Sequence, residues 1–330
     1  MQCSVIIPTY NTPPEKLQTA LESCLVQTLK QCEVIFVDDN DSKAESKKIR
    51  LLVKSLKKNR DLPLRKNIKI VGKGKNCGLV EARRLGILNS SGEYITFLDS
   101  DDSFLDKDAL KIMYEAAIEK EGGYDIVQCR GKAVREDSYI LEENRDAYKL
   151  IEAPPLERFC AEDSLLFQEE YLTSKKYPLF LWSKLFKRSA FLSAIDEMPG
   201  MDCFMAEDTL FSYFVSKHCK SYIGIDYVFY QYNLGKGIST SAQAIDSLER
   251  WKKFCTCASV FTAIMYDLKT NGAPEKLVLH FNKILTHFAV RNYKLLERVS
   301  SEIKDEAFEV LKEMWGTEIV NAVINHCNSQ

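Results

Sequence analysis

The sequence of 330 residues predicts an α/β fold, a mostly parallel sheet flanked by helices and followed by a helical C-terminal extension. Three observations carry that expectation. Short β-branched runs alternate with helical apolar periodicity through the first hundred residues. The runs are continuously apolar, as strands covered on both faces are. Each of three runs ends in a polar cluster, at Thr9–Asn11, Asp38–Asp41 and Asp99–Asp102, and open parallel sheets gather ligands at such strand ends.

The elements follow in order. Cys3–Ile7 is the first strand. Pro13 and Pro14 open a helix through Leu17, Leu21, Cys24 and Leu25, with Glu15 in its first turn. Glu33–Val37 is the second strand, and a basic helix with Ile49, Leu52, Val53 and Leu56 on its apolar face follows. Ile68–Val71 is the third strand. Gly78 opens a helix that Ser91-Gly92 ends, and Glu93–Leu98 is a strand running into Asp99-Ser100-Asp101-Asp102. Tyr124–Val127 and Tyr227–Tyr230 read as strands, and Thr209–Ser216 as a helix. From about residue 242 the chain reads as helical, broken near Asn271-Gly272 and Ser300-Ser301. This divides the chain into residues 1–110 and 111–241, two halves of one sheet domain, and a helical region at 242–330.

Composition narrows the classes. A net charge of −2 gives no global drive towards nucleic acid. Thirteen Lys or Arg stand against two Asp or Glu between Lys43 and Lys75. That stretch reads either as a solvated helix face or as a contact for anionic lipid or a pyrophosphate-bearing acceptor. Eleven scattered cysteines, several inside apolar runs, suit reduced buried thiols better than a disulfide framework. Cys3–Ile7 meets Pro8 too soon for a signal segment, and no apolar run reaches about 18 residues. The expectation is a cytoplasmic protein whose membrane contact is at most peripheral.

Four groups of residues carry chemistry. Asp99 and Asp101, two apart in an extended segment, point the same way. Converging carboxylates call for a cation or a proton between them, and oxygen-only ligation favours Mg²⁺ or Mn²⁺ alongside phosphate. An acidic turn capping a helix near Asp106 is the plainer reading. Pro8-Thr9-Tyr10-Asn11 and Asp38-Asp39 follow neighbouring strands, where carboxylates accept from a base imide or ribose hydroxyl; taken alone, ordinary turn chemistry is the preferred reading. In Asn76–Arg84 the glycine opens a helix, and an arginine one turn in suits a diphosphate or a surface ion pair. Glu207-Asp208 opens the helix through Ser216, either as dipole complement or as a base for a sugar hydroxyl.

Taken in order, these groups resemble the family 2 glycosyltransferases over roughly residues 3–240. The matches are Pro8–Asn11, Val37-Asp38-Asp39, Asn76–Gly86, Gly92–Asp102, Glu207-Asp208 and Phe229–Tyr232 leading to Ile238-Ser239. Trp182–Arg188 resembles a segment of the capsule and lipopolysaccharide branch. The resemblance implies a Rossmann-like GT-A fold and an inverting hexosyl- or N-acetylhexosaminyl-transferase. It implies a nucleoside-diphosphate sugar donor, with UDP as the carrier, and a hydroxyl acceptor on a surface glycan or lipid-linked sugar. Pro8, Thr9, Tyr10, Asn11, Asp38, Asp39, Asn76, Arg83, Asp99 and Ser100 would hold the donor. Asp99 and Asp101 would hold a divalent Mn²⁺ or Mg²⁺, and Asp208 would be the catalytic base. Glu207, Trp182 and Lys236 would meet the acceptor. Arg84 stands where the family usually has Asn, and the closing strand carries Gln231 in place of a clear arginine. The C-terminal helices would cap the core, pair with a second copy or lie on a membrane. Two competitors are weighed. A sugar-phosphate nucleotidyltransferase needs a Gly-rich phosphate loop, which Pro8–Asn11 lacks; a catalytically silent sugar-nucleotide binder is countered by intact Asp99, Asp101 and Asp208.

Overall fold

The computed structural model describes residues 1–135, 145–201, 203–234 and 244–329. The strands among them are β1 (Cys3–Thr9), β2 (Cys32–Asp38), β3 (Ile68–Val71), β4 (Tyr94–Phe97), β5 (Ser103–Phe104), β6 (Ile126–Arg135), β7 (Arg158–Cys160), β8 (Lys184–Lys187) and β9 (Ser221–Leu234). Helices α1 (Pro14–Leu25), α2 (Lys43–Leu56), α3 (Gly78–Leu88) and α4 (Ala109–Ala117) lie in the first third. Helices α5 (Arg145–Glu152), α6 (Ser164–Thr173), α7 (Arg188–Glu197) and α8 (Glu207–Ser216) follow. The tail is α9 (Leu248–Cys255), α10 (Cys257–Thr270), α11 (Glu275–Leu295), α12 (Lys304–Trp315) and α13 (Thr317–Asn328).

One mixed sheet runs in the order β3-β2-β1-β4-β8-β6-β9-β5, with β7 on β9. Its first four strands are parallel. The antiparallel β8 then separates β4 from β6, and β6 and β9 pair parallel beyond it. The parallel pairing expected from the sequence runs through the N-terminal strands and recurs at β6–β9, while the pairings of β8, β5 and β7 are antiparallel, so the whole is mixed.

Alternation along the strands sends side chains to two cores. Val5, Ile7, Val34 and Phe36 pack with Leu17, Leu21, Ile49, Val53 and Met113 of α1, α2 and α4. Ile6, Ile35, Val37 and Phe97 pack with Val80 and Ile87 of α3 and with α6, α7 and α8. Helices α10 and α11 join that second core through Val260, Ile264, Leu277 and Phe281. The rest of the tail forms a third cluster around Trp251, Phe261 and Trp315. Among the described residues no helix is long and apolar enough to cross a membrane.

Local chemistry sets the helix starts. Pro14 occupies the first turn of α1, where a missing amide costs nothing. Ser42 caps α2 by accepting from the Glu45 amide at 3.4 Å, with Glu45 placed as in a capping box. The sheet then opens where it is needed. The β1–β4 ladder stops at Ile6 opposite Phe97, whereas β1–β2 pairing continues to Thr9 opposite Asp38. Pro8, which has no amide to donate, falls just past the last β4 partner. The crevice lies at this split.

Gly86 explains why α3 lies so close to β1. A Cβ there would come within 2.4 Å of Ile6 Cγ2 and 3.2 Å of Val37 Cγ2. Gly86→Ala is expected to overpack this contact and cost about 1–3 kcal/mol, read as a lowered urea midpoint at unchanged m-value.

Candidate active site

The split holds a cavity of about 630 Å³, within the usual size of a small-molecule site. Pro8, Thr9, Tyr10 and Asn11 line it from the end of β1, Asp39 from β2, Asn76 from the loop before α3, and Asp99, Ser100 and Asp101 from the turn after β4. The structure thus gathers nine of the residues singled out in the sequence. Leu79 of the Asn76–Gly86 segment also lines the cavity, as do Lys16 and Phe204, which nothing in the sequence pattern marked.

The floor is built from turns. Asn11 takes a left-handed conformation (φ 51°), which Asn tolerates better than most residues, and its amide donates to Asn40 Oδ1 at 2.8 Å. Ser100 Oγ lies 2.6 Å from Thr12 Oγ1. The Asp39 carboxylate accepts from the Cys77 and Gly78 amides at 2.9 and 3.1 Å, so it caps α3 across 38 residues of sequence. Burial pushes its carboxyl up, against these amides. Thr9 Oγ1 is buried and has no hydrogen-bond partner, an unmet polar atom beside the cavity.

Three expectations need correction. Asp38 does not line the cavity, because its Oδ1 is taken by the amide and side chain of Asn40 at 3.2 and 2.8 Å. Trp182 does not face it either. The indole is 5% exposed and stacks on Phe180, Tyr230 and Tyr232 with centroids 3.9, 4.7 and 4.8 Å away. Asp99 and Asp101 do not converge by strand alternation. The strand ends at Phe97, and the Asp102 amide donates to the Asp99 carbonyl at 3.1 Å, so a turn presents them. Lys236 and Ile238-Ser239 lie outside the described residues.

Arg83 is the largest departure. It does not line the cavity but sits behind it, 1% exposed. Its guanidinium donates to Asp208 at 2.7 Å, Glu207 at 3.4 Å and Asp99 at 3.4 Å, and lies 5.6 Å from the Phe97 ring centroid. Burial works against the charge, but Asp208, Glu207 and Asp99 outweigh it and hold the arginine above its ordinary pKa. The carboxylates pay in the other direction. Burial pushes Asp99 up to about 6, with Arg83 opposing and Asp208 and Asp101 adding. Burial and then Asp208 push Glu207 up to about 7. Asp208 is the more exposed of the two helix-start acids, at 28% against 14%. Both follow Ala206, whose left-handed backbone (φ 67°, ψ 14°) aims the first turn of α8. Such a conformation is costly for a non-glycine residue.

A second network braces the acidic turn. Tyr230 Oη accepts from the Asp99 amide at 3.3 Å and donates to Asp102 Oδ2 at 2.8 Å. Asp102 Oδ1 accepts from the Asn233 amide at 2.8 Å, and Asn233 Nδ2 donates to the Asp101 carbonyl at 2.6 Å. Asp102, buried and raised by burial and by Asp99 and Asp101, therefore ties β9 to the turn and is not aimed at the cavity. The repeated Asp at 99, 101 and 102 was a signal for it. Its partners 128 and 131 residues away were not legible. Beneath the Tyr230–Trp182 stack, Lys184 is fully buried and donates to the carbonyls of Pro178 and Phe180. Burial lowers it to about 7.

Among the described residues no group of three His, Cys, Asp or Glu side chains forms a ready metal cage. The donors present are the Asp99 and Asp101 carboxylates beside an open cavity. That set fits a hard divalent cation that completes its shell with phosphate or water oxygens.

A family model described as glycosyl transferase family 2 matches residues 4–178. The chain belongs to glycosyl transferase family 2. A Campylobacter jejuni family relative named GalNAc(5)-diNAcBac-PP-undecaprenol beta-1,3-glucosyltransferase is 30% identical over 210 residues, covering 57% of this chain and 60% of that one. An uncharacterized glycosyltransferase of Rickettsia felis is 42% identical over 109 residues, which span 33% of this chain and 16% of the relative. In architecture this family 2 chain is similar to Staphylococcus aureus TarS residues 1–349 in complex with UDP-GlcNAc, with a TM-score of 0.53 at 18% identity, covering 99% and 92% of the two chains. It is also similar to the mannosyltransferase PcManGT of Pyrobaculum calidifontis in complex with GDP-Man and Mn²⁺, with a TM-score of 0.53 at 14% identity, covering 99% and 79%. The fold is that of the GT-A glycosyltransferases, with a helical C-terminal region.

Removing the central cation tests the cluster itself. Arg83→Met leaves three carboxylates without their partner and is expected to cost about 3–5 kcal/mol near pH 7.5. Without Arg83 the native pKa values of Asp99 and Glu207 rise further above the unfolded ones, so between about pH 4 and 7 the native state binds more protons than the unfolded state. Stability then falls as pH rises, and the deficit should shrink towards about pH 5. Denaturant titrations of both proteins across that range read it directly; a pH-independent deficit would contradict the assignment.

Proposed function

We propose that the chain is a metal-dependent inverting glycosyltransferase. It moves a sugar from a nucleoside-diphosphate sugar, with UDP as the carrier, to a hydroxyl of a glycan or lipid-linked acceptor in surface-polysaccharide synthesis. One observation carries the reading: the single guanidinium of Arg83, behind the wall of a donor-sized cavity, bonds both Asp99, which lines that cavity, and Asp208, which stands outside its lining. A base and a candidate metal ligand are thereby fixed within one shared network.

The residues divide the work. Thr9 Oγ1 and the remaining lone pairs of Asp39 meet polar atoms of the base. Asp99 and Asp101 would hold Mn²⁺ or Mg²⁺, which when bound neutralises charge building on the departing diphosphate. Arg83 holds Asp208 in place through a hydrogen bond of 2.7 Å instead of touching the diphosphate itself. Asp208 takes the proton of the acceptor hydroxyl, a poor nucleophile until a positioned carboxylate accepts it. Attack on the face opposite the leaving group inverts the anomeric centre in a single displacement. The names of the relatives support the class: a glucosyltransferase named for an undecaprenol-linked glycan, and neighbours solved with UDP-GlcNAc or with GDP-Man and Mn²⁺.

Thermal shift with UDP, GDP and their sugars, with and without Mn²⁺, is the test. A ligand at about a hundred times its Kd stabilises the native state by about 2.7 kcal/mol. The expected result is a rise with UDP that needs Mn²⁺ and is lost in Asp101→Ala. A larger rise with GDP replaces the carrier, and no rise with any nucleotide rejects the donor site.

Asp208→Asn is expected to keep the donor-induced shift and to lower sugar transfer about 10²–10⁴-fold. Unchanged turnover rejects Asp208 as the base. Absence of transfer in the parent protein with every donor that binds favours the silent binder.

A further inference from the structure

The basic stretch takes no part in the cavity's chemistry, and the structure gives it a shape. On α2, Ile49, Val53 and Leu56 are buried against α1 and the sheet. On the opposite side Lys47, Arg50, Leu51 and Lys54 are exposed at the i, i+3, i+4, i+7 spacing of one helix stripe, and Lys57 and Lys58 are exposed in the turn that follows α2. Among the described residues none of these five cations takes part in an ion pair, whereas Lys48, Lys69 and Lys73 are paired to Glu45, Glu33 and Glu81. Leu51, 57% exposed, stands in the middle of the stripe. Between Lys43 and Lys75 there is no aromatic residue, so the face lacks the platforms on which single-stranded nucleic acid stacks. A charged stripe with one apolar side chain at its centre suits a surface that is anionic outside and apolar beneath.

We infer that the outward face of α2 docks on an anionic membrane leaflet. The leaflet's headgroups pair with the five cations, and Leu51 enters the boundary below them. The flank of α2 beside this face adjoins the cavity: Glu45, Lys48 and Leu52 line a small cleft together with Thr9, Asn11 and Thr12, and Thr9, Asn11 and Thr12 also line the cavity. Docking therefore holds the cavity mouth near the lipid surface. The inference stands apart from the proposed transfer reaction, because binding is read without turnover.

Flotation of the full chain with vesicles tests it, using phosphatidylcholine alone or with about one third phosphatidylglycerol at about 0.1 M NaCl. Binding is expected only with the anionic vesicles, and should fall away towards about 0.5 M NaCl. Each cation near an anionic leaflet strengthens binding about fivefold. The combined variant Lys47→Glu, Arg50→Glu, Lys54→Glu, Lys57→Glu should therefore lose more than about a hundredfold in affinity, while keeping the wild-type unfolding midpoint. Leu51→Ser should weaken vesicle binding severalfold and leave binding of soluble polyphosphate unchanged. No binding of wild type to anionic vesicles overturns the inference, as does retained binding by the charge-reversed chain. A Leu51→Ser variant that binds vesicles as wild type does reassigns the face to a soluble polyanion.

Discussion

Arg83 is 1% exposed between Asp99, Glu207 and Asp208, and burying that cation places demands on three distant parts of the chain. An ion taken out of water costs several kcal/mol unless its partners are held in good geometry. The turn after β4 must deliver Asp99, the strained start of α8 must deliver two acids, and α3 must set Arg83 between them. Gly86 lets α3 lie against Ile6, and Asp39 holds its first amides. The helix has little freedom to rotate the guanidinium away. The cluster specifies an arrangement more than it adds stability.

The aromatic bracing works by the same logic one layer out. The acidic turn is short and exposed on its cavity side, so its backbone needs anchoring from behind. Tyr230 supplies that anchor with one hydroxyl that accepts from the Asp99 amide and donates to Asp102. Its ring is held by Trp182, and Trp182 by Phe180, whose carbonyl accepts from buried Lys184. Trp182, which in sequence looks like a place to meet sugar, is instead part of the foundation for the turn that faces the cavity.

Local pattern reveals the N-terminal half because its determinants are local. Ile68–Val71 and Gly78–Leu88 appear where apolar periodicity and a helix-opening glycine place them. The strand ends carry the polar residues that line the cavity. What escaped the sequence depends on partners far along the chain. Arg83 looks like a free phosphate ligand until α8, 124 and 125 residues away, folds against it. Trp182 looks like an exposed platform until Tyr230 and Tyr232 of β9 stack on it. The antiparallel β8 is four residues long, too short for its direction to be read from alternation. Asp38 and Asp39 are neighbours with identical side chains, and only the path of the backbone decides which faces the cavity.

The tail also bears on how this enzyme family can vary. Val260 and Ile264 of α10 and Phe281 of α11 share one core with Phe211 and Phe214 of α8, the helix that presents Asp208. Interiors are close-packed and pass on small changes in volume. A substitution in α10 can thus tilt the first turn of α8 while every carboxylate stays in place. Drift in the outer helices can therefore move Asp208 relative to the cavity while the strand ends that line it stay unaltered.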